Sequence, residues 1–394
     1  MPKPLTGIRV VDFGRFIAGP YCGMLLADMG ADVIRVDRRV GSEDRYVAPI
    51  TSGGEGGGFL SINRNKRSLT LDTSQPDAAE IIRRLVKNAD VVIANLPIDV
   101  LKKMRLDYDS LRAIRPDIIF ARISTFGPDG PYASRVGFDT VAQAMSGAMS
   151  LTGFPGAPVR ALVPFADYGT ALHTAFGVMV ALYHRAQTGE GQIVDGSLLA
   201  TSIAFTQGLL AEKHVLGVDR SQTGNASFYA APADTYKTKD GWLVVSVVGN
   251  EIFARWARLV GREDFVTDPR FSSDQKRAEH RDEITAVMNA WLETRTTAEA
   301  LAELERVRVP AGPVLELQQV LEDPQVKARE LLRYVDYPGA AKPVPLADTP
   351  VRLSGTPGGI AHRAPMLGEH TQEILKELGY SEAQIAELRD TCVV

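Results

Sequence analysis

The strongest constraint on the fold is a regular alternation of short apolar runs with helical stretches in the first third of the chain. An apolar run at residues 8–13 is followed by a helical stretch at 20–29, a stop at Gly30 and a second apolar run at 31–36. This order is typical of a βαβ unit, in which the strands are parallel and the crossover is right-handed. The alternation continues through residues 68–72, 76–88, 90–94, 108–114 and 118–123. The sequence therefore predicts an α/β protein with a Rossmann-like, mainly parallel sheet.

The pattern changes after residue 215, where Gly, Ser, Asn and Gln become frequent and indicate a linker. Two strands and three helices are predicted beyond it, at residues 233–236, 242–247, 251–260, 278–293 and 297–306. The final segment is rich in proline, so it cannot form a core alone and we expect it to return to an earlier part of the molecule. We predict a large Rossmann-like domain in 1–215, a smaller α+β domain with linkers in 216–325, and a return segment in 326–394 that completes the large domain.

Composition excludes several classes of function. The formal net charge of −4 argues against a general nucleic-acid or anionic-membrane surface. Cys22 and Cys392 are too few for a disulfide framework or a cysteine zinc site, as is usual in a reducing compartment. No apolar run approaches the roughly 20 residues that a membrane span requires. We therefore expect a cytoplasmic protein that binds neither nucleic acid nor membrane.

Common cofactor and nucleophile motifs do not occur in the chain. The first strand is not followed by G-x-G-x-x-G, and the glycine-rich residues 53–58 are not followed by Gly-Lys-Ser/Thr, so they are interpreted as a flexible surface loop. Neither a G-x-S-x-G elbow nor an H-E-x-x-H helix is found. The sequence therefore disfavours nicotinamide binding, serine hydrolysis and zinc chemistry, and predicts no metal site.

Three groups of cations lie next to predicted strands. They are residues 37–45, residues 63–68, and the set Lys102, Lys103 and Arg105. Ligands of doubly wound sheets bind at the carboxyl ends of the strands, where we expect these loops to gather. Any single Lys or Arg is explained equally well by solvation of a loop. Together, the three groups favour a phosphate-rich ligand.

One carboxylate stands out in the middle of the chain. Asp167 is the only acid between residues 157 and 189, and an apolar approach at 162–166 leads to it. The stretch at 170–186 that follows is apolar on almost every side, which predicts a buried helix. Taken alone, an Asp at a helix start is explained by N-capping, in which its oxygen accepts a backbone N–H of the first turn. A chemical role is the alternative.

Several motifs along the chain occur together, in the same order, in one known family. They are residues 26–36, 63–68, 137–139, 146–147, Asp167, 188–192 and 367–371. On these residues the sequence resembles, over nearly its whole length, the class III CoA-transferases, the CaiB/BaiF group that contains formyl-CoA transferase and carnitine-CoA transferase. The resemblance implies a large Rossmann-like domain formed from both chain ends, a small domain between them, and an interlocked homodimer.

The resemblance also implies a mechanism. In this family an aspartate attacks the acyl-CoA thioester, and Asp167 occupies the matching position. With a reference pKa of about 3.9, the carboxylate is expected to be ionised at neutral pH without a base to activate it. Backbone N–H groups at the helix start are expected to stabilise the developing oxyanion. Free CoA and acyl-CoA act as substrates, so no tightly bound cofactor is expected.

The family's CoA-binding residues map onto positions along the first domain. They correspond to Ile17, Ala18, Arg38, Asn63, Lys66, Asn95, Leu96, Lys103, Ser124, Phe126 and Gly127. The second substrate is a small carboxylic acid. Arg15 or Arg160 is a candidate partner for a second carboxylate, which makes a dicarboxylate such as succinate, with succinyl-CoA as donor, a reasonable choice. A surface or structural role for either arginine is the alternative.

Departures from the family pattern leave other functions open. Formyl-CoA transferase has a glycine run after its Gly-Asn-Ala-Ser, whereas here residues 224–227 are followed by Phe228 and Tyr229, which are expected to alter the space for substrate. A racemase of the α-methylacyl-CoA type needs a histidine where this chain has Phe138. His173 is a substitute for it or, alternatively, a core histidine. A CoA-binding protein without turnover is the third possibility.

Overall fold

The computed structural model describes residues 3–394. The chain divides into two compact units. The first contains the segments up to Ala148, Ala161–Gly217 and Gln325–Val394, and the second contains Met149–Arg160 and Val218–Pro324.

The first unit is organised around a six-stranded sheet in which every neighbouring pair of strands is parallel. Its strands are β1 Arg9–Asp12, β2 Asp32–Asp37, β3 Lys66–Thr70, β4 Val91–Ala94, β5 Ile119–Ser124 and β6 Ile193–Ser197. Their spatial order is β3-β2-β1-β4-β5-β6, so the direction of winding reverses between β1 and β4. The central strands β1 and β4 are mainly apolar because helices cover both faces. The predicted α/β class with a mainly parallel sheet is confirmed.

Nine α-helices precede residue 217 in the part of the chain that the structure describes. They are α1 Ala18–Asp28, α2 Gly57–Ile62, α3 Ala78–Lys87, α4 Ile98–Lys103, α5 Tyr108–Ile114, α6 Asp139–Met145, α7 Ala148–Leu151, α8 Phe165–Thr188 and α9 Leu198–Leu216. Residues of α1 and α8 share one apolar core with one face of the sheet. Residues of α3 and α5 share a second core with the opposite face.

The expectation that the central helix is buried on all sides is wrong for the single chain. One side of α8 packs against α1, α9 and β6. Gly169 and Gly177 permit that close approach, since a Cβ at either position would lie 2.6 Å from Phe205 or Val194 respectively. The opposite side is exposed, with Phe176 at 71% and Tyr183 at 69% accessibility. A helix laid on a sheet is covered by its own chain on one side only, so apolar residues all round require another cover.

The second unit contains an antiparallel sheet with strand order β7-β8-β9. Its elements are β7 Ala233–Lys237, β8 Trp242–Ser246, α10 Asn250–Leu259, α11 Asp274–Glu279, α12 Arg281–Leu292, α13 Thr297–Arg306, β9 Ala311–Pro313 and α14 Leu317–Glu322. Phe253, Trp256 and Phe265 lie at the centre of its apolar core. The single helix predicted at 278–293 is divided, because the backbone at His280 leaves the helical region.

The last segment of the chain lies within the first unit. Its elements are α15 Pro324–Ala328, β10 Leu332–Val335, β11 Val344–Ala347, α16 Thr371–Glu377 and α17 Glu382–Asp390. Ile374 and Leu375 enter the same core as α3 and α5. The hairpin of β10 and β11 was not predicted, because proline-rich sequence hides short strands. The helix α17 was not predicted either. Within residues 3–394, no helix combines the length and the apolar character that crossing a bilayer requires.

Candidate active site

The loop after β1 lies at the point where the sheet reverses its winding. Asp12 accepts the backbone N–H of Gly14 at 2.7 Å. The Asn95 side chain, just after β4, accepts from the N–H of Arg15 at 2.7 Å and donates to its carbonyl oxygen at 2.8 Å. Phe16 has a φ of 58°, and α1 begins two residues later. Asn95 therefore ties the two loops of the switch point together, at the edge where doubly wound proteins bind ligands.

Arg15 is a half-buried cation in this loop. Its Nη1 donates to the carbonyl oxygens of Phe13, Gly14 and Val36 at 3.2, 2.9 and 3.1 Å. Burial first, and then the charge of Arg35, lower the pKa of Arg15. Within residues 3–394, no side chain accepts from its Nε or Nη2 and no carboxylate forms an ion pair with it. A cation with donors left over at a switch point is suited to binding an anion.

Lys66 lies inside the protein. Its ammonium donates to Asp12 Oδ2 at 2.8 Å, to the carbonyl oxygen of Pro20 at 2.7 Å and to Asn63 Oδ1 at 3.0 Å. Asn63 also accepts from Arg35 and is itself buried. An ammonium has three donors, so Lys66 has none left for a phosphate. It is also the first residue of β3, at the edge of the sheet opposite the carboxyl ends.

Three other cations of the predicted groups also form internal ion pairs. Arg64 pairs with Asp28, Arg67 pairs with Asp32, Glu373 and Glu377, and Arg45 pairs with Asp37. Burial alone would raise the pKa of Asp37, but the guanidinium groups of Arg35 and Arg45 lower it to about 2. The cations of residues 63–68 are thus engaged within the protein, and their assignment to phosphate stays a prediction. The exposed cations of the three groups are Arg38, Arg39, Lys102, Lys103 and Arg105.

The remaining residues that the family resemblance assigned to CoA lie after the parallel strands, as that topology requires. Arg38 follows β2 and forms an exposed ion pair with Glu43. Leu96 follows β4, and Lys103 is the exposed last residue of α4. Ser124 ends β5 and its Oγ accepts the N–H of Gly127 at 3.0 Å.

Three further predicted positions are aromatic and make contacts of their own. Phe126 packs edge-on against Tyr132. In the second unit, the Arg220 guanidinium lies over the rings of Phe228 and Tyr229, at 5.1 and 4.7 Å from their centroids.

Asp167 is not the N-cap of its helix. α8 begins at Phe165, Pro164 occupies the N-cap position, and Asp167 is the third helical residue. A carboxylate from another helix caps α8 instead: Asp139 Oδ1 accepts the backbone N–H of Ala166 at 2.8 Å and that of Asp167 at 3.2 Å. The N-capping explanation of Asp167 is therefore wrong, and Asp139 is a site residue that sequence analysis missed.

The carboxylate of Asp167 is half-buried and unpaired. Within residues 3–394, no group donates a hydrogen bond to it. Burial first, and then the negative charge of Asp139, raise its pKa to about 7. The expectation of full ionisation at neutral pH is therefore wrong, because an unpaired carboxylate away from water is poorly stabilised in its charged form. A carboxyl group that titrates near neutrality is a feature of reactive sites.

The start of α8 offers no free N–H for an oxyanion. The N–H of Phe165 donates to Val163, that of Tyr168 to Pro164, and the two between them to Asp139. The expected stabilisation of an oxyanion by this helix start is therefore not supported by the geometry.

Two aromatic rings connect the switch-point loop with Asp139. Phe138, immediately before Asp139, is 61% exposed and packs edge-to-face on Phe16 with centroids 5.3 Å apart. Arg15, Phe16, Phe138, Asp139 and Asp167 thus form a continuous series of neighbours within the first unit.

His173 lies one to two turns along α8 from Asp167 and is exposed. Its Nδ1 is 3.4 Å from Thr201 Oγ1, and its ring packs on Phe205. The expectation of a core histidine is wrong.

The fold defines a doubly wound α/β protein that carries a half-buried carboxylate. The sequence profile of CoA-transferase family III matches residues 5–371. The chain is 34% identical to the succinyl-CoA–D-citramalate CoA-transferase of Chloroflexus aurantiacus, over 100% of this chain and 98% of that protein. It is 35% identical to the succinate–glutarate CoA-transferase of Agrobacterium fabrum, over 95% and 96% respectively.

A solved structure supports the same assignment. The crystal structure of a CaiB/BaiF family protein from Brucella suis matches with a TM-score of 0.85 and 36% identity, covering 96% of this chain and all of that one. The chain belongs to CoA-transferase family III. It is an acyl-CoA:carboxylate CoA-transferase, an enzyme whose substrates are CoA thioesters and carboxylic acids.

Proposed function

We propose that the protein transfers CoA from succinyl-CoA to a second dicarboxylic acid, with Asp167 as the nucleophile. The observation that carries this proposal is the unpaired, half-buried carboxylate of Asp167 in the first turn of α8. A carboxylate with no hydrogen-bond donor and a raised pKa is a stronger nucleophile than a solvated one.

The proposed reaction proceeds through four exchanges at acyl carbons. An ionised Asp167 oxygen attacks the thioester carbonyl and expels CoA thiolate, which leaves a mixed anhydride of Asp167 and the donor acid. The thiolate attacks the Asp167 carbonyl carbon, releases the donor acid and forms an aspartyl-CoA thioester. The acceptor carboxylate attacks that thioester and expels CoA thiolate, which leaves a second anhydride, now between Asp167 and the acceptor. The thiolate then attacks the acceptor carbonyl carbon of this anhydride and releases the Asp167 carboxylate. The products are the acceptor-CoA thioester and free Asp167.

Arg15 supports a dicarboxylate as the acid substrate. Its guanidinium has unused donors, and the next residue, Phe16, packs on Phe138, which directly precedes Asp139. A dicarboxylate has a second carboxylate for such a cation once the first has reached the reacting centre. The relatives named above act on succinyl-CoA and citramalate or on succinate and glutarate; the three free acids are dicarboxylates, and succinyl-CoA keeps one free carboxylate beside its thioester.

For CoA, we propose the loops after β1, β2, β4 and β5, with Arg38 and Lys103 as the phosphate-binding cations. Both are exposed, and the ion pair of Arg38 with Glu43 is itself open to solvent, so a phosphate can compete for Arg38. The backbone of Ile17 and Ala18 and the turn at Ser124–Gly127 line the same edge of the sheet. The side chains of Asn63, Lys66 and Asn95 form hydrogen bonds within the protein, so in this proposal they support the CoA site without contacting CoA.

We further propose that a second copy of the chain covers the exposed face of α8 and α9. Phe176 and Tyr183 on α8, and Phe205 and Leu216 on α9, expose more than half of their surface. Apolar surface of this kind usually marks an interface. Light scattering should find a dimer for the wild type and a weakened dimer for Phe176→Glu, with Lys87→Glu on α3 as the exposed control.

The domain boundaries at residues 215 and 325, and the role of Phe228 and Tyr229 toward substrate, stay predictions.

The test of the proposed function is a product assay. The enzyme is incubated with succinyl-CoA and a panel of mono- and dicarboxylic acids, and new CoA esters are identified by mass spectrometry. We expect esters of dicarboxylates with the wild type and none with Asp167→Asn. Full transfer by Asp167→Asn would refute the role of Asp167. Exchange of the α-hydrogen of a branched acyl-CoA in deuterated water, without transfer, would instead support the racemase alternative, for which Phe138 supplies no proton.

A further inference from the structure

We infer that Asp139 and Gln143 are positioning residues that hold the first turn of α8 and keep the carboxylate of Asp167 free of hydrogen bonds. The inference rests on the proposed role of Asp167 as nucleophile. It assigns a task to two buried polar side chains of α6 that touch neither CoA nor the acid in the proposal above.

Asp139 connects α6 to the start of α8 through both of its oxygens. Oδ1 accepts the N–H groups of Ala166 and Asp167, and Oδ2 accepts from Gln143 Nε2 at 2.6 Å. Gln143 lies one helical turn along α6, and its Oε1 accepts the N–H of Ala161 at 2.9 Å. Asp139 and Gln143 are 5% and 1% exposed. The two side chains therefore fix both ends of the approach to Asp167, residues 161 to 167.

This arrangement explains why Asp167 is unpaired. The first N–H groups of a helix have no partner inside the helix and are commonly satisfied by a nearby side-chain oxygen. Pro164, at the N-cap, has no side-chain acceptor. Without Asp139, the Asp167 carboxylate is itself the nearest acid in the first turn, and hydrogen bonds to it would favour its ionised, less basic form. Because Asp139 of α6 caps α8, the carboxylate of Asp167 is not needed as the cap and stays available as the nucleophile.

Asp139 also acts on Asp167 through its charge. Asp139 on α6 and Tyr168, the next residue on α8, interact electrostatically with Asp167, and Tyr168 in turn packs on Tyr21 of α1. From α9, Thr201 contacts His173, and the Arg122 and Asp195 side chains of β5 and β6 pair with each other. Asp139 is therefore the charged group that opposes ionisation of Asp167.

The experiment separates the charge of Asp139 from its hydrogen bonds. Asp139→Asn keeps an acceptor oxygen but removes the charge, Asp139→Ala removes both, and Gln143→Leu removes the support of Asp139. Asp109→Asn, an exposed acid in the first turn of α5, is the matched control. The first readout is the pH dependence of carbodiimide labelling of Asp167, measured by peptide mass spectrometry. Only the protonated carboxyl reacts, so this readout needs no turnover. The second readout is kcat and KM for transfer.

We expect the labelling midpoint of Asp167 to fall by about one pH unit or more in both Asp139 variants and to stay unchanged in Asp109→Asn. We expect kcat to fall about ten- to a hundredfold in Asp139→Ala and Gln143→Leu, with KM for the acyl-CoA little changed. A folded Asp139→Asn protein with the wild-type midpoint and wild-type kcat would overturn the inference. If Asp139→Ala does not fold, Asp139→Asn and Gln143→Leu still decide the question.

The two proposals fail in different ways. Transfer activity retained by Asp167→Asn would refute the nucleophile, whatever the Asp139 variants do. An inactive Asp167→Asn together with a wild-type midpoint and wild-type kcat in Asp139→Asn would refute the positioning role alone.

Discussion

The carboxylate of Asp139 accepts the backbone N–H of Asp167 at 3.2 Å, while the carboxylate of Asp167 itself receives no hydrogen bond from any described residue. Two acids at one helix start therefore differ in role because their environments differ. Asp139 is buried and holds the backbone, whereas Asp167 is half-buried and unpaired. Tuning of neighbouring carboxyl groups by environment is a general way to divide binding from chemistry.

The pH dependence of turnover should follow the ionisation of Asp167. Its pKa of about 7 lies above the ordinary value of 3.8, and only the ionised carboxylate attacks a thioester. We expect kcat/KM to rise with pH up to about 7 and to fall about tenfold per pH unit well below that. Initial rates at fixed ionic strength measure this limb. A profile that is flat from about pH 5 to pH 8 would contradict it.

The free energy of unfolding should also depend on the ionisation of Asp167, but it should fall as pH rises. Because the pKa of Asp167 is about 7 when folded and near 3.8 when unfolded, the native state binds more protons between these values, and stability declines as pH rises through that window. Asp167→Asn does not titrate. We expect its free energy of unfolding to exceed that of the wild type most at about pH 8, and the difference to vanish below about pH 4. Urea unfolding at several pH values measures this, with Asp109→Asn as control. Equal pH dependence in the wild type and Asp167→Asn would contradict it.

Replacement of Lys66 should lower the stability of the protein more than it weakens CoA binding. Lys66→Met leaves the buried carboxylate of Asp12 without its ion-pair partner, which typically costs about 3–5 kcal/mol. Urea unfolding of Lys66→Met measures the loss. Lys87→Met, at an exposed position on α3, should change stability by less than about 0.5 kcal/mol. Unchanged stability in Lys66→Met with a raised KM for CoA would return Lys66 to a phosphate-binding role.

Arg15 should discriminate between classes of acid. We expect Arg15→Gln to raise KM for dicarboxylates by about ten- to a hundredfold, from the loss of charged hydrogen bonds worth about 1.5–3 kcal/mol. Monocarboxylates should be affected less, since they lack the second carboxylate. Arg160→Gln, at an exposed position, is the control. The opposite pattern, with Arg160→Gln impaired and Arg15→Gln normal, would transfer the role to Arg160.

Sequence alone predicted the parallel sheet because short, mainly apolar runs such as those of β1, β2 and β4 alternate with helical stretches. Sequence alone did not show which cations are paired inside the protein. It does not tell whether a lysine such as Lys66 extends outward or back to Asp12, 54 residues away. It also failed for Asp139, whose contact with Asp167 joins positions 28 residues apart. The exposed side of α8 was hidden for a related reason. Apolar residues all round a helix indicate burial but not which chain provides the cover.

Trapping of the covalent intermediate tests the central claim most directly. The enzyme is mixed with succinyl-CoA and quenched with hydroxylamine or borohydride, and the peptide that contains Asp167 is analysed by mass spectrometry. We predict an aspartyl hydroxamate with the first reagent and homoserine with the second, both at position 167 and both dependent on the acyl-CoA. A modified peptide elsewhere, or an unmodified Asp167 under conditions of active transfer, would contradict the account.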